Sequence, residues 1–176
     1  QESQPASDLT TAIKQDDFDA QMQAEPALPL VELLAYCLMP NHFHLVVRQL
    51  VDGGITLWIK RAMNSYTRGY NTRHKRVGPL YQGIVQSVLV ESDEQLLHLT
   101  RYVHLNPFVA KLSETPLYQW SSFQAYVQQQ SSRVCHPDFV LNLAGSTDQY
   151  QAFVQDYAGF AQSLAAIKQH IAFEYD

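Results

Sequence analysis

Cysteine is scarce in this chain. Cys37 and Cys135 are the two present among 176 residues, too few for a disulfide scaffold and in keeping with a reducing cytosol. No apolar run approaches the roughly 20 residues a membrane helix needs. No segment has the basic, then apolar, then small-residue order of a secretory signal. The expectation is a cytoplasmic protein without membrane contact. Internal repeats are absent, and nothing is low in complexity beyond the short polar run Gln128–Ser132. Hydrophobic residues make up 46%, enough for an ordinary core, and the length fits one domain with a small appendage.

Positive charge is also in deficit, with 12 Lys and Arg against 17 Asp and Glu. A uniform surface of that balance would repel nucleic acid, but the deficit is not uniform. Nine of the basic residues lie between Arg48 and Lys111, with only four acids among them, Asp52, Glu91, Asp93 and Glu94. A basic middle between acidic ends suits a local site for a polyanion, and it equally describes a solvated helix face.

What the chain does have is a distinctive stretch, Leu38-Met39-Pro40-Asn41-His42-Phe43-His44-Leu45-Val46-Val47. Side chains alternate along a strand, so His42 and His44 share a face and Phe43, Leu45 and Val47 take the other. The expectation is an apolar face for the core and a histidine pair on its reverse, a geometry for two imidazoles on one metal ion. A lone His-x-His is more often a pair of surface histidines, so the rest of the chain must decide.

Val31–Leu38 reads as a buried strand, and Pro40-Asn41 as the turn that pairs it with the histidine strand in an antiparallel hairpin. Before it, Leu9–Gln23 is a candidate helix stopped by Pro26 and Pro29. After Asp52-Gly53-Gly54, residues Ile55–His74 form an amphipathic helix. Ile55, Trp58, Ile59, Ala62, Met63, Tyr66 and Tyr70 recur at helical spacing as a core stripe. Leu80–Val90 reads as a third strand.

Ser92-x-x-Gln95 then has the form of a capping box opening a second helix, with Leu96, Leu97, Leu99 and Val103 inward. Pro107 is expected to end it near Asn106. On this helix His98, Tyr102 and Asn106 fall in one row at i, i+4 and i+8. A phenol and an amide oxygen one turn apart can address one spot, as nucleophile and metal ligand. The same residues also read as a packing tyrosine and a helix C-terminal cap. Farther on, Trp120, Phe123 and Tyr126 suggest packing positions of a short helix. Tyr150, Phe153, Val154, Tyr157, Phe160, Leu164, Ile167 and Ile171 suggest accessory helices within 148–173.

Three stretches in order carry a resemblance: Leu33–Val47 with its Pro-Asn-His-Phe-His core, Arg101-Tyr102-Val103-His104-Leu105-Asn106-Pro107-Phe108-Val109-Ala110, and Tyr118-Gln119-Trp120-Ser121-Ser122-Phe123. Gly78-Pro79-Leu80-Tyr81-Gln82-Gly83 sits between the first two. Over about residues 30–130 the chain resembles the single-tyrosine HUH transposases, and within them the REP-associated tyrosine transposases. The resemblance implies an α+β fold: a ferredoxin-like antiparallel sheet with helices on one face, here followed by C-terminal accessory helices. It divides the chain into a catalytic region, 1–130, and a helical extension, 131–176. By position it implies His42, His44 and Asn106 as metal ligands and Tyr102 as the nucleophile. The substrate it implies is single-stranded DNA that folds into hairpins, and the protein acts as a monomer or homodimer. Two departures stand out. The family's opening strand, with an aromatic-His-hydrophobic pattern, has no counterpart after Gln1; it lies upstream or the sheet lacks it. Ile84 stands where the family commonly has arginine after Gln-Gly.

Two imidazoles and an amide oxygen accept Mg²⁺ or Mn²⁺ in a water-completed shell. Arg68, Arg73, Lys75, Arg76 and Arg101 are candidates for phosphate contacts, which fix register and not sequence. His98 is a candidate proton acceptor one turn before Tyr102, or simply an exposed helix histidine. Two other functions compete. One is a transposase-derived DNA-binding protein without cleavage. The other is a zinc-stabilised binding domain using Cys37, His42, His44 and either Cys135 or His136.

Overall fold

The structure is a computed structural model and describes residues 28–128, 132 and 134–174. The candidate helix Leu9–Gln23 lies outside the described residues, as do the side chains of Leu164, Ile167 and Ile171. The fold is α+β: a two-stranded antiparallel sheet followed by helices. In order these are β1 (Val31–Leu38), β2 (Phe43–Gln49), α1 (Gly54–His74), α2 (Asp93–Val109), α3 (Phe123–Val127), α4 (Asp138–Ala144) and α5 (Thr147–Glu174). The described residues form two compact units, one of 28–31 with 49–85 and one of 32–48 with 86–174. The 134–174 stretch therefore shares a unit with most of the hairpin and with α2. Among the described residues no helix is long and apolar enough to cross a membrane.

In the larger unit the β-branched and aliphatic run of β1 buries Leu33, Leu34, Ala35 and Cys37. Its free edge is not left to solvent, where unpaired amides invite aggregation. The Leu38 amide donates to the Trp120 carbonyl at 2.9 Å, and the Ser122 amide donates to the Tyr36 carbonyl at 2.9 Å. These bonds flank an antiparallel bridge between Cys37 and Ser121. The Leu34 carbonyl accepts from Tyr126 Oη at 2.7 Å and from the Cys135 thiol at 3.0 Å. Trp120 contributes backbone to this edge while its side chain is 55% exposed, so it is not the packing residue its spacing suggests. Phe123 and Tyr126 are buried as expected.

The N-terminus of α2 follows its sequence. Ser92 Oγ accepts from the Gln95 amide at 3.1 Å. Gln95 Oε1 reaches one residue past the cap and accepts from the Glu91 amide at 2.8 Å. Asp93 and Glu94 place negative charge at the positive end of the helix. The C-terminus differs from expectation, because the helix runs through Pro107 to Val109. Proline removes one donor there, but the last turn is closed by other amides. Ala110 donates to the Asn106 carbonyl at 2.9 Å and Leu112 to the Pro107 carbonyl at 2.9 Å, with Lys111 in the left-handed region at φ 57.

At the centre of this unit His104 is fully buried. Its Nδ1 lies 2.8 Å from Tyr150 Oη and its Nε2 lies 2.8 Å from Ser122 Oγ. The Tyr36 amide donates to the same Ser122 oxygen at 2.8 Å. Phe123, Tyr126 and Tyr150 surround the imidazole, with ring centroids 4.7–5.8 Å away. Val103, Leu105, Val140, Val154, Val46 and Cys135 complete the core.

The smaller unit is different in kind. Within α1 only Gly54 is buried among the described residues. Its amide donates to the Val51 carbonyl at 3.0 Å, and a β-carbon at this position would run into the Leu30 carbonyl. The stripe from Ile55 to Tyr70 is at best half-buried and Tyr66 is 58% exposed, so the expected core stripe is not one. Leu80–Val90 forms no strand. Ile84, Val88 and Leu89 are 77–87% exposed, because an apolar run becomes a strand only when another strand pairs with it.

Burial pushes the His104 imidazole down to about 3, so it is neutral when folded. A depressed value means that stability is complete above the ordinary histidine value near 6.5 and is lost as pH falls toward about 3. The urea midpoint should therefore drop across this window, with the His104 contribution roughly 1 kcal/mol per pH unit. The expected comparison is with His104→Gln, less stable at pH 7 but with a shallower pH slope. Parallel slopes for the two proteins would show that the buried imidazole is not the titrating group.

Candidate active site

The site begins with the turn. Pro40 and Asn41 form its two central residues, and the Met39 amide donates to the His42 carbonyl at 2.8 Å. Proline presets the backbone angle this position needs. His42 closes the turn and His44 is the second residue of β2, so strand alternation puts both rings on one side. Their Nε2 atoms are 3.2 Å apart and the rings meet edge to face at 4.9 Å.

The histidine face is not the reverse of the core face. The buried residue of β2 is Val46, which shares parity with His44, whereas Phe43, Leu45 and Val47 are only half-buried. Val46 joins the core with Val103 and Leu105 of α2. The imidazoles thus stand at the rim of the helix-covered face. This is how they meet α2: the His44 and Tyr102 rings lie 5.6 Å apart at 79°. Tyr102 is 56% exposed, so the phenol is open to a large substrate. Asn106 lies one turn further along the same helix, half-buried and within the helix, not capping it. Its side-chain amide has no hydrogen-bond partner among the described residues.

The chemistry of the donor set can be tested against a metal ion. Two ligand atoms about 2.1 Å from one ion, at an angle near 100°, lie roughly 3.2 Å apart, which matches the 3.2 Å between the two Nε2 atoms. Protonation agrees. Asn41 Oδ1 lies 2.7 Å from His42 Nδ1, and an amide oxygen can only accept, so Nδ1 carries the proton. The Nε2 lone pair of His42 is then directed at His44 Nε2, where it accepts an N–H or shares a metal ion with His44. Burial, and then the neighbouring His42, hold the His44 imidazole below the ordinary histidine range, which keeps it neutral and able to ligate. Asn41 therefore orients His42 as partners of metal-bound histidines generally do. Sequence reading passed over it, although an asparagine directly before His-x-His was the available signal.

The other candidates fare unevenly. His98 Nδ1 accepts from the Arg101 guanidinium at 2.8 Å, and its Nε2 lies 3.9 Å from Glu94. Both nitrogens are turned to neighbours other than Tyr102, so the structure does not support His98 as its proton acceptor. Arg101 stacks over Phe153 at 4.1 Å and Tyr157 at 4.0 Å, an internal packing task that competes with phosphate binding. Arg76 is similarly engaged, donating to Asn71 Oδ1 at 3.2 Å and to the Pro79 carbonyl at 3.3 Å. Arg68, Arg73 and Lys75 are exposed and have no side-chain partner among the described residues. They belong to the smaller unit.

The zinc alternative finds no support in the geometry. Burial pushes both cysteine thiols up to about 11. Cys37 Sγ is directed at the Met39 sulfur at 3.6 Å and Cys135 Sγ at the Leu34 carbonyl at 3.0 Å. Among the described residues no three His, Cys, Asp or Glu side chains converge. A cavity of about 620 Å³ lies elsewhere, bordered by Ala125, His136, Leu141 and Asp148; His42, His44 and Tyr102 do not line it.

No model of a known family, no curated protein and no solved structure matches the chain. The site stands on its own residues.

Removing the Asn41 carbonyl should free the His42 tautomer. In Asn41→Ala, ¹⁵N–¹H correlation spectra of the imidazoles should show His42 losing its pure Nδ1–H form. Mn²⁺ affinity should fall by about 10–100-fold, while Asn41→Asp, which keeps an acceptor, retains both. An unchanged tautomer in the alanine variant would remove Asn41 from this role.

Proposed function

We propose that the protein is a DNA strand-transfer endonuclease that cleaves single-stranded, hairpin-forming DNA through a covalent bond to Tyr102. The observation that carries this reading is the convergence of paired imidazole Nε2 atoms, 3.2 Å apart, with an exposed phenol whose ring lies 5.6 Å from His44. It agrees with the resemblance to the single-tyrosine HUH transposases, which implies that the β1–β2 hairpin and α2 are parts of a ferredoxin-like core.

His42 and His44, with the Asn106 amide oxygen, would hold a divalent ion, Mg²⁺ or Mn²⁺, by their neutral lone pairs. The chemistry such an ion supplies is charge neutralisation at a non-bridging oxygen of the scissile phosphate. Tyr102 Oη attacks the phosphorus, an O–P bond forms and the bond to the 3′ oxygen breaks. The 3′ oxygen leaves as a hydroxyl, taking up a proton, and the phenol proton passes to solvent. The product is a 5′-phosphotyrosine, and its phosphoester energy is kept. Attack by another 3′ hydroxyl reverses the step and rejoins the strand without a nucleotide cofactor. An open, exposed site suits a polymer substrate, which is consistent with a cytoplasmic enzyme acting on DNA.

A second reading, a transposase-derived DNA-binding protein without cleavage, is favoured by one feature. Ile84, 87% exposed, offers no charge where the resembled family commonly carries arginine. One experiment separates the two. With labelled hairpin DNA and Mn²⁺, the enzyme should give a denaturation-resistant protein–DNA adduct. Tyr102→Phe should abolish it while changing DNA affinity less than threefold, and His42→Ala or His44→Ala should reduce its formation by at least about 100-fold. Binding without any adduct in the wild-type protein supports the second reading and overturns the first.

A further inference from the structure

The smaller unit carries an aromatic ladder that the proposed chemistry does not use. Tyr66, Tyr70 and His74 stand at i, i+4 and i+8 on α1, one face of the helix. The Tyr70 and His74 rings are 4.2 Å apart and tilted by 31°, nearly stacked. Tyr66 lies 6.2 Å from Tyr70 at 32° on one side and 6.2 Å from Tyr81 at 45° on the other. The chain returns to place Tyr81 there through a pinned loop. Asn71 Nδ2 donates to the Gly78 carbonyl at 2.8 Å, and Arg76 bonds both Asn71 and the Pro79 carbonyl.

Core tyrosines would be covered, but Tyr66, which touches both Tyr70 and Tyr81, is 58% exposed. His74 is exposed as well, while Tyr70 and Tyr81 are half-buried, so the ladder is anchored at two rings and open to solvent at two. The charge nearby is of one sign. Arg73, seven residues after Tyr66, returns to the same face of the helix, and Lys75 follows at its C-terminus. Between Gln49 and Val85 there are six basic residues and a single acid, Asp52. Flat rings with adjacent cations are what an unpaired nucleic-acid strand is bound by, the rings taking base faces and the cations phosphates. The pairing of flat rings with cations, which serves base faces and phosphates together, favours a nucleic-acid strand as the occupant.

We infer that the face of α1 bearing Tyr66, Tyr70 and His74, with Tyr81 beside it, is a stacking platform for an unpaired nucleic-acid strand, flanked by Arg73 and Lys75. That the strand is DNA rests on the function proposed above; the stacking surface itself does not.

The test uses the full chain and a fluorescein-labelled dT₁₂ strand in EDTA, where no cleavage chemistry operates. The wild-type protein should bind. Tyr66→Ala should weaken binding by about 5- to 100-fold, whereas Tyr66→Trp should retain it, with indole emission quenched by the strand. Arg73→Ala with Lys75→Ala should lower the slope of log affinity against log salt by about 1.4. Wild-type affinity in Tyr66→Ala, or no binding of dT₁₂ by the wild-type protein, overturns the platform. Strand binding that needs Tyr66, in a protein that forms no Tyr102 adduct, overturns the proposed enzyme and leaves the platform standing.

Discussion

The buried His104 imidazole is the contact on which the geometry of this protein depends. It ties α2 to α5 through Tyr150 and to the segment before α3 through Ser122, whose oxygen also accepts from the Tyr36 amide of β1. Each partner is buried or partly so, and an unpaired polar group there would cost about 1–3 kcal/mol. Three segments are thus joined at one ring, with β1 tied in through Ser122, and the helix cannot rotate without breaking both of the ring's bonds. Two residues along a helix are about 200° apart. Fixing His104 inward therefore fixes Tyr102 outward, at the rim where the β2 histidines stand. The precision of the surface site is set by a polar bond in the core.

Much of this was legible because it is local. β1 from Val31 to Leu38, the start of α1 after Gly53-Gly54 and the Ser92–Gln95 cap follow from side-chain period, backbone freedom and short-range hydrogen bonding. The histidine pair was legible for the same reason, since alternation alone puts His42 beside His44. What was not legible depended on partners distant in sequence. Leu80–Val90 has strand composition but no strand to pair with among the described residues. The stripe on α1 has the period of a core helix, and period reports which residues share a face without saying that anything covers it. The face of β2 was misassigned because both parities are apolar after His44, and only α2 decides that Val46 is buried. His104 gave no signal, being one histidine among the apolar neighbours of a helix.

The basic residues show how little charge counting settles by itself. Arg48 pairs with Glu32 and lies 4.8 Å over the Phe139 ring. Arg101 is held between Phe153 and Tyr157, and Arg76 braces its own loop. A guanidinium is planar and weakly hydrated, so it is readily taken up by aromatic faces and carbonyls. The basic middle of the sequence is thus partly a structural device. Among the described residues, Arg68, Arg73, Lys75 and Lys111 are exposed without a side-chain partner, and three of these four lie on or just after α1.

The two units differ in a way that suits two tasks. Chemistry at a phosphorus atom demands placement to within a fraction of an ångström, because misplacement by 1 Å can cost 100-fold in rate. That placement requires side chains locked by packing, which the larger unit supplies in its buried His104 network and in the Asn41–His42 bond. Holding a flexible strand demands much less, since every base has a flat face and phosphates tolerate variable contacts. A helix buried only at Gly54 can serve it. An exposed aromatic helix would be a poor frame for a nucleophile, and a fully packed core would be a poor surface for a strand. The division of burial along this chain is the one that the proposed function would call for.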